Sequence, residues 1–321
     1  MKNLFLLLIL AFLQVSCHAQ KEAIPVINQK SMQDFNYPYE TKKIQLSDHL
    51  EIAYIDEGAG DSTLLMIHGL GSYLPAWKNN VEGLKHKYRC IAIDLPGYGK
   101  SSKGEYDFGM SFFAETLASF INTLNLENVI LIGHSMGAQI SVTMVLNTDA
   151  AIEKLVLIAP AGFEVFTEQN KAWFEAIFTP QMIKASNKQQ LELNFAMNFA
   201  ANTLPDDARF MYEDRLYMIE TGTEYDAYAE MIPKCVMGML NEPIFDRLSE
   251  IDIPTLVIYG EEDHLIPNKF LHPDLITQSV AESGQEQIPD SVLKMLTPCG
   301  HFVQWECAEE VNELLIEFIG Q

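Results

Sequence analysis

The amino-acid sequence predicts an α/β fold: a mostly parallel sheet with helices on both faces and a helical insertion. Three observations support this class. Short runs rich in Val, Ile and Leu alternate with segments of helical periodicity, as buried parallel strands and their crossover helices do. A Gly-x-Ser-x-Gly pentapeptide joins one of these runs to a helical segment. Between about residues 162 and 245, helical patterns replace the alternation.

The predicted strands follow one another along most of the chain. In order they are 43–46, 51–55, 64–67, 90–93, 129–132, 154–160, 253–260 and 292–296. The first two alternate between apolar and polar residues around a polar turn, which is typical of an edge hairpin. The runs at 64–67, 90–93 and 129–132 are apolar throughout, which is typical of strands buried on both faces. An amphipathic helix closes the chain.

Composition limits the function classes. The 321-residue chain is long enough for one large domain and an insertion, and its composition is that of a globular protein. Its 44 acidic residues against 21 Lys and Arg give a formal net charge of −23. Such a surface repels phosphate backbones, so we expect no nucleic-acid partner. We interpret the acidity as a property that keeps the protein soluble.

The N-terminus has the layout of a signal peptide over residues 1–19. Its apolar run is too short to remain as a bilayer anchor. Val15-Ser16-Cys17 resembles a bacterial lipoprotein box, with cleavage before Cys17 and lipidation of that residue as a membrane anchor. Cleavage after Ala19 would instead release a soluble protein. With either ending we expect export from a bacterial cytoplasm, to a periplasmic, membrane-anchored or secreted location.

The pentapeptide around Ser135 carries the clearest chemical signal. Gly133 and Gly137 permit a tight turn between strand and helix, which exposes the serine hydroxyl at the sheet edge. With its flanking strand and helix, the motif resembles the nucleophile elbow of the α/β-hydrolase superfamily, in its capped, esterase-like serine hydrolase branch. The resemblance covers about residues 41 to 318 and implies an eight-stranded α/β-hydrolase sheet.

The resemblance also divides the chain into parts. Residues 20–40 are interpreted as a tether or arm, to which no chemistry is assigned. Residues 41–161 and 246–321 correspond to the α/β-hydrolase core, and residues 162–245 to the helical cap. Aromatic and methionine side chains of the cap, Phe163 among them, are expected mostly to form its own core. A minority should line an apolar acyl pocket.

The family arranges its catalytic triad in the chain order Ser, acid, His. A serine hydroxyl needs a base to accept its proton, and that base needs a carboxylate to fix its tautomer. Of eight histidines, only His301 follows the last predicted strand, where the family places its base. Asp263 matches the usual acid position, with Gly-x-x-Asp spacing after Gly260. We interpret Glu261 and Glu262 as solvated loop charges.

The oxyanion hole is assigned by the same resemblance. The family uses one backbone N–H from the turn after the first parallel strand and one from the residue after the nucleophile. Here these residues are Leu70 and Met136. Gly69 lets the turn approach the substrate closely. His68 and Asp94 are interpreted as supports of the surrounding loops rather than as catalytic groups.

The remaining cysteines and histidines indicate neither a disulfide framework nor a metal site. We commit to no disulfide among Cys90, Cys235, Cys299 and Cys307, since a domain of this size does not need one. No Cys and His spacing typical of a metal site is visible. The resemblance implies a triad that works without a cofactor.

The expected function is hydrolysis of a carboxylic ester of a small, largely apolar substrate, through an acyl-enzyme on Ser135. Dehalogenases and epoxide hydrolases of this fold are set aside because they use Asp as nucleophile. Carbon–carbon bond hydrolases typically carry Asn before the serine and Arg shortly after the Gly of the acid turn, where this chain has His134 and Glu261. That reaction, perhydrolase chemistry and a non-enzymatic ligand-binding role remain alternatives.

Overall fold

A computed structural model describes residues 31–222 and 224–321. The predicted signal segment 1–19, with Cys17, and the first part of the predicted arm lie outside the described residues. Among the described helices, none combines the length and hydrophobicity that crossing a membrane requires.

A single eight-stranded sheet organises the described part of the chain. Its strands are β1 Lys42–Ser47, β2 Leu50–Glu57, β3 Thr63–Ile67, β4 Arg89–Ile93, β5 Val129–His134, β6 Ile152–Ile158, β7 Thr255–Gly260 and β8 Ser291–Leu296. In space they follow the order β1-β2-β4-β3-β5-β6-β7-β8. β2 runs antiparallel to its two neighbours, and the strands from β3 onward are parallel to one another. The predicted fold class is confirmed.

Helices connect the strands and surround the sheet. They are α1 Lys78–Leu84, α2 Met110–Leu124, α3 Met136–Asn147, α4 Glu168–Ile177, α5 Pro180–Lys184, α6 Lys188–Ala196, α7 Arg209–Thr221, α8 Tyr225–Asn241, α9 Thr277–Gln285, α10 Val303–Glu306 and α11 Ala308–Ile319. β3, β5 and β7 are buried along their whole length, as strands covered on both faces are. Parallel strands place their carboxyl ends at one edge, where ligands bind in this architecture.

Helices α4 to α8 lie between β6 and β7, in the stretch predicted as the cap. α8 packs against α4 and α5 and also reaches α2 of the core. Phe163, one of the side chains expected mostly to form the cap core, belongs to the main core instead. Phe163 packs in the main core, with its ring 6.4 Å from that of Tyr259 and its edge against Gly284. The reason is that Phe163 follows the end of β6 closely and precedes the first helix of the insertion, so it still lies beside the sheet.

The arm docks on both the core and the cap. Tyr37 donates its hydroxyl hydrogen to Asp94 Oδ2 in the core at 2.8 Å. Phe35 packs edge-on against Tyr217 of α7, with ring centroids 5.6 Å apart, and Met32 is buried among cap side chains. The described part of the arm is therefore a strap between the two layers.

One disulfide joins Cys299 to Cys307, whose Cα atoms lie 6.2 Å apart. This disulfide is not predicted from the sequence. The turn through α10 returns Cys307 to Cys299, and this local reversal is not apparent from spacing alone. Cys90 and Cys235 are free and buried, and Cys90 occupies the interior of β4, as its apolar surroundings predict.

Candidate active site

Ser135 occupies a strained turn between β5 and α3. Its φ of 53° and ψ of −118° are rare for a residue other than glycine. A Cβ at Gly133 would lie 2.4 Å from the carbonyl oxygen of Gly137, and one at Gly137 would lie 2.4 Å from that of Ile67. Both flanking positions therefore require glycine, and this packing accounts for the pentapeptide.

Asp263 and His301 form a buried hydrogen-bonded pair at the same edge of the sheet. Asp263 follows β7 and His301 follows β8, and each is 4% exposed. His301 Nδ1 lies 2.7 Å from Asp263 Oδ2. Asp263 Oδ1 accepts hydrogen bonds from the backbone N–H groups of Leu265 and Ile266, at 2.7 and 2.9 Å. With Nδ1–H donating to the carboxylate, Nε2 of His301 keeps a lone pair that can accept a proton.

The elbow and the loop of His301 are in direct contact. His134, the residue before Ser135, donates its Nε2–H to the carbonyl oxygen of His301 at 2.9 Å. Within the described residues, the hydroxyl of Ser135 makes no hydrogen bond to His301. Hydrogen bonds of this kind often form fully only when substrate is bound.

The two predicted oxyanion donors also face this edge. A Cβ at Gly69 would lie 3.0 Å from Cβ of Ser135, so the loop that carries Leu70 packs directly on the elbow. Met136 is the first residue of α3, where backbone N–H groups point away from the helix. In residues 31–222 and 224–321, neither the N–H of Leu70 nor that of Met136 has an acceptor. Both donors are available to a substrate oxygen.

The predicted supports lie behind the oxyanion loop. His68 Nδ1–H donates to the carbonyl oxygen of Gly69 at 2.9 Å, and its Nε2 accepts the N–H of Leu95 at 3.1 Å. Burial lowers the pKa of His68, which favours the neutral ring that this arrangement needs. Asp94 is fully buried and accepts the N–H of Leu74 at 2.7 Å. His68 and Asp94 therefore stabilise the surrounding loops, and neither forms a hydrogen bond with Ser135.

A cavity of about 230 Å³ adjoins these groups. Its wall includes Leu70 of the oxyanion loop and Phe302, the residue after His301, whereas Ser135 and His301 themselves do not line it. Cap side chains form most of the remainder and are largely apolar, including Phe178, Ile183 and Leu191. The cavity therefore suits a small substrate with an apolar portion.

Arg215 of α7 brings a cation to this cavity. Its guanidinium lies 3.5 Å from the centre of the Tyr228 ring, and Nη2 donates to the carbonyl oxygen of Gly71 at 3.0 Å. Nε has no hydrogen-bond partner, and no carboxylate of the described residues forms an ion pair with the side chain. Burial lowers the pKa of Arg215 to about 10, so the group remains charged at neutral pH.

Arg215 is not predicted as a site residue from the sequence. In carbon–carbon bond hydrolases the resemblance implies an arginine in the acid turn, whereas Arg215 lies on α7. In the described part of the chain, no group of three or more His, Cys, Asp or Glu side chains is arranged to hold a metal ion.

The sheet, the elbow after β5 and the order of the site residues define the class of α/β hydrolases. Residues 62–308 match the family described as alpha/beta hydrolase fold, and the chain belongs to this family. The resemblance stated from the sequence is confirmed.

Individual relatives differ in their named activities. The chain is 27% identical over 283 residues to a 2-hydroxy-6-oxononadienedioate/2-hydroxy-6-oxononatrienedioate hydrolase of Paraburkholderia phymatum, covering 85% of this chain and 92% of that protein. Among solved structures, a probable hydrolytic enzyme from Pseudomonas aeruginosa superimposes with a TM-score of 0.79 at 21% identity, covering 90% and 97% of the two chains. An esterase from Exiguobacterium antarcticum superimposes with a TM-score of 0.71 at 23% sequence identity, covering 88% of this chain and 100% of that one. These two structures show likeness of fold.

Proposed function

We propose that this α/β hydrolase is a serine esterase that cleaves carboxylic esters of small, largely apolar substrates. The observation that carries the proposal is the buried 2.7 Å contact between Asp263 and His301, on the loops beside the strained elbow of Ser135. Such a pair activates a serine hydroxyl that is otherwise a poor nucleophile at neutral pH.

The acylation step uses each of these groups. Nε2 of His301 accepts the hydroxyl proton while Oγ of Ser135 bonds to the ester carbonyl carbon. The N–H groups of Leu70 and Met136 donate to the oxygen that becomes negative. Asp263 stabilises the imidazolium that forms. When the tetrahedral intermediate collapses, the carbon–alkoxide bond breaks and His301 returns the proton to the leaving alcohol.

Deacylation repeats the sequence with water. His301 takes a proton from water, whose oxygen bonds to the acyl carbon, and the bond to Oγ of Ser135 breaks. The proton returns to the serine and the carboxylic acid leaves.

The test is the initial rate on p-nitrophenyl esters from acetate to decanoate. We expect a maximum at short or medium chains, because the adjoining cavity holds only about 230 Å³. Ser135→Ala should lose about 10⁴- to 10⁶-fold in turnover. Ser283→Ala, at an exposed serine of α9, should match the wild type. Near-normal esterase activity in Ser135→Ala would refute the proposal.

Carbon–carbon bond hydrolysis is the second candidate, and Arg215 is the observation that favours it. A buried guanidinium whose Nε has no hydrogen-bond partner can donate to a carboxylate of the substrate. The Paraburkholderia relative is named for a dienedioate, a dicarboxylate. Ser135, Asp263 and His301 would serve this reaction too.

The two candidates separate on paired substrates. Turnover of a 2-hydroxy-6-oxo-dienedioate is measured by the loss of its absorbance. A kcat/KM for this substrate above that for every ester in the series would favour carbon–carbon hydrolysis. The reverse ranking would favour the esterase. Arg215→Met should weaken the reaction of the carboxylate-bearing substrate and change that of the uncharged esters little.

A further inference from the structure

His134 lies between the two halves of the candidate active site, and no step of the proposed reaction uses it. It ends β5 directly before Ser135 and is 1% exposed. A histidine buried this completely is uncommon unless its ring nitrogens have partners.

One side of the imidazole holds the loop of the general base. Nε2–H donates to the carbonyl oxygen of His301 at 2.9 Å. The two imidazole rings lie with centroids 4.9 Å apart, and Phe302 packs edge-on against His134 at 5.0 Å. His134 therefore contacts both the base and its neighbour.

The other side faces the oxyanion loop. A Cβ at Gly69 would lie 3.0 Å from Nδ1 of His134, so the backbone before Leu70 rests against the ring. Nδ1 has no hydrogen-bond partner among the described residues. A carbonyl oxygen can only accept, so Nε2 of His134 carries a proton. Burial, and next the neighbouring His301, hold the pKa of His134 well below its usual range, which favours the neutral ring.

We propose that His134 is a positioning residue, which fixes the distance between the general base on one loop and the oxyanion donor on the other. The inference rests on the proposed function of Ser135 and His301. His134 contacts neither the substrate carbonyl nor the transferred proton. It acts through the carbonyl of His301, and a neutral ring serves this purpose without repelling the imidazolium that forms on His301.

Other nearby links do not replace this contact. Glu306 accepts the N–H of Gly300 at 2.7 Å, and Phe302 donates its N–H to the carbonyl of Asn198 at 2.9 Å. These bonds fasten the base loop to α10 and to the cap. Of the hydrogen bonds among the described residues, the one from His134 joins the base loop directly to the nucleophile elbow.

The experiment compares two variants that differ in one donor. His134→Met fills a similar volume without an N–H, and His134→Gln places an amide N–H within reach of the same carbonyl. The probe is a fluorophosphonate. Its rate constant for inactivation is measured and normalised to the number of active sites that react in the folded protein. This rate constant does not depend on knowing the natural substrate.

We expect His134→Met to lower the inactivation rate constant and kcat by about 10- to 100-fold, with KM of a p-nitrophenyl ester little changed. His134→Gln should recover most of both losses. His86→Gln, at an exposed histidine, serves as control and should match the wild type.

Two results would overturn the inference. In one, His134→Met reacts at the wild-type rate per active site and only the folded fraction falls, which indicates a purely structural role. In the other, Met and Gln variants lose activity equally, so the donor does not matter. Failure of the proposed function appears differently, as a wild-type protein whose Ser135 is not labelled at all.

Discussion

Asp263 and His301 stand 38 positions apart in the chain and meet at 2.7 Å in a site where each is 4% exposed. The parallel order of β7 and β8 brings this about, since both residues follow the carboxyl ends of neighbouring strands. The cost of burying the carboxylate is offset by three donors: the imidazole and the N–H groups of Leu265 and Ile266.

Asp263→Asn should therefore reduce kcat on a p-nitrophenyl ester by about 10⁴-fold. An amide can keep the geometry, but it favours the wrong tautomer of His301 and does not stabilise the imidazolium. Steady-state kinetics measure the loss. Glu261→Gln, at the exposed carboxylate two residues earlier, should stay within a few-fold of the wild type. Comparable losses in both variants would mean that the acid has been assigned to the wrong residue.

Arg215→Met should discriminate between substrates by charge. For a p-nitrophenyl hemi-ester of glutaric acid we expect kcat/KM to fall about 10- to 100-fold, because a hydrogen-bonded charge contributes about 1.5–3 kcal/mol. For p-nitrophenyl butyrate the change should be small. Arg209→Met, on the same helix but half exposed, should affect neither ester. Equal losses on both esters would show that Arg215 only supports the cap.

Stability should fall on the acid side of neutrality. Burial lowers the pKa of both His68 and His134 below the usual 6.5, so the unfolded chain binds more protons than the folded one as pH falls. Each histidine should lower the free energy of unfolding by up to about 1.4 kcal/mol per pH unit below that value. Urea unfolding from pH 7 to 5 measures the slope. His134→Gln should make the dependence of the free energy of unfolding on pH shallower. An unchanged slope in this variant would contradict a lowered pKa of His134 in the folded protein.

The sequence was informative about the core and its loops. Short apolar or alternating runs predicted all eight strands. Strands such as β3 and β5 are apolar throughout because both of their faces are covered. Ser135 was predicted from its pentapeptide, and Asp263 and His301 from the chain order that the family resemblance implies; the structure places the last two in hydrogen-bond contact. The glycines around Ser135 are explained by contacts below 3 Å that any side chain would make.

The cap and the arm were harder to interpret. Which face of α7 turns inward depends on packing against α6 and the core, so Arg215 could not be distinguished from a surface arginine. Tyr37 lies in a segment without periodicity, and its partner Asp94 is 57 positions away. Likewise, the partner of Cys299 depends on the turn through α10.

Tyr37→Phe should weaken the strap between arm and core. It removes the donor to a buried carboxylate, and we expect the free energy of unfolding to fall by about 1.5–3 kcal/mol. Tyr39→Phe is the matched control, because its hydroxyl bonds Glu82 at an exposed position and should contribute about 0.5 kcal/mol or less. Urea unfolding at neutral pH compares the two. A loss for Tyr37→Phe no larger than that for Tyr39→Phe would contradict a stabilising bond from Tyr37 to Asp94.

Mass spectrometry of the protein after reaction with a fluorophosphonate tests most directly whether Ser135 is an activated nucleophile. We expect one adduct per chain, on the peptide that contains Ser135, and none in Ser135→Ala. We also expect slow labelling in Asp263→Asn, because the base is then poorly oriented. An unlabelled wild-type protein, or an adduct on another serine with Ser135 intact, would contradict the claim that Ser135 is an activated nucleophile.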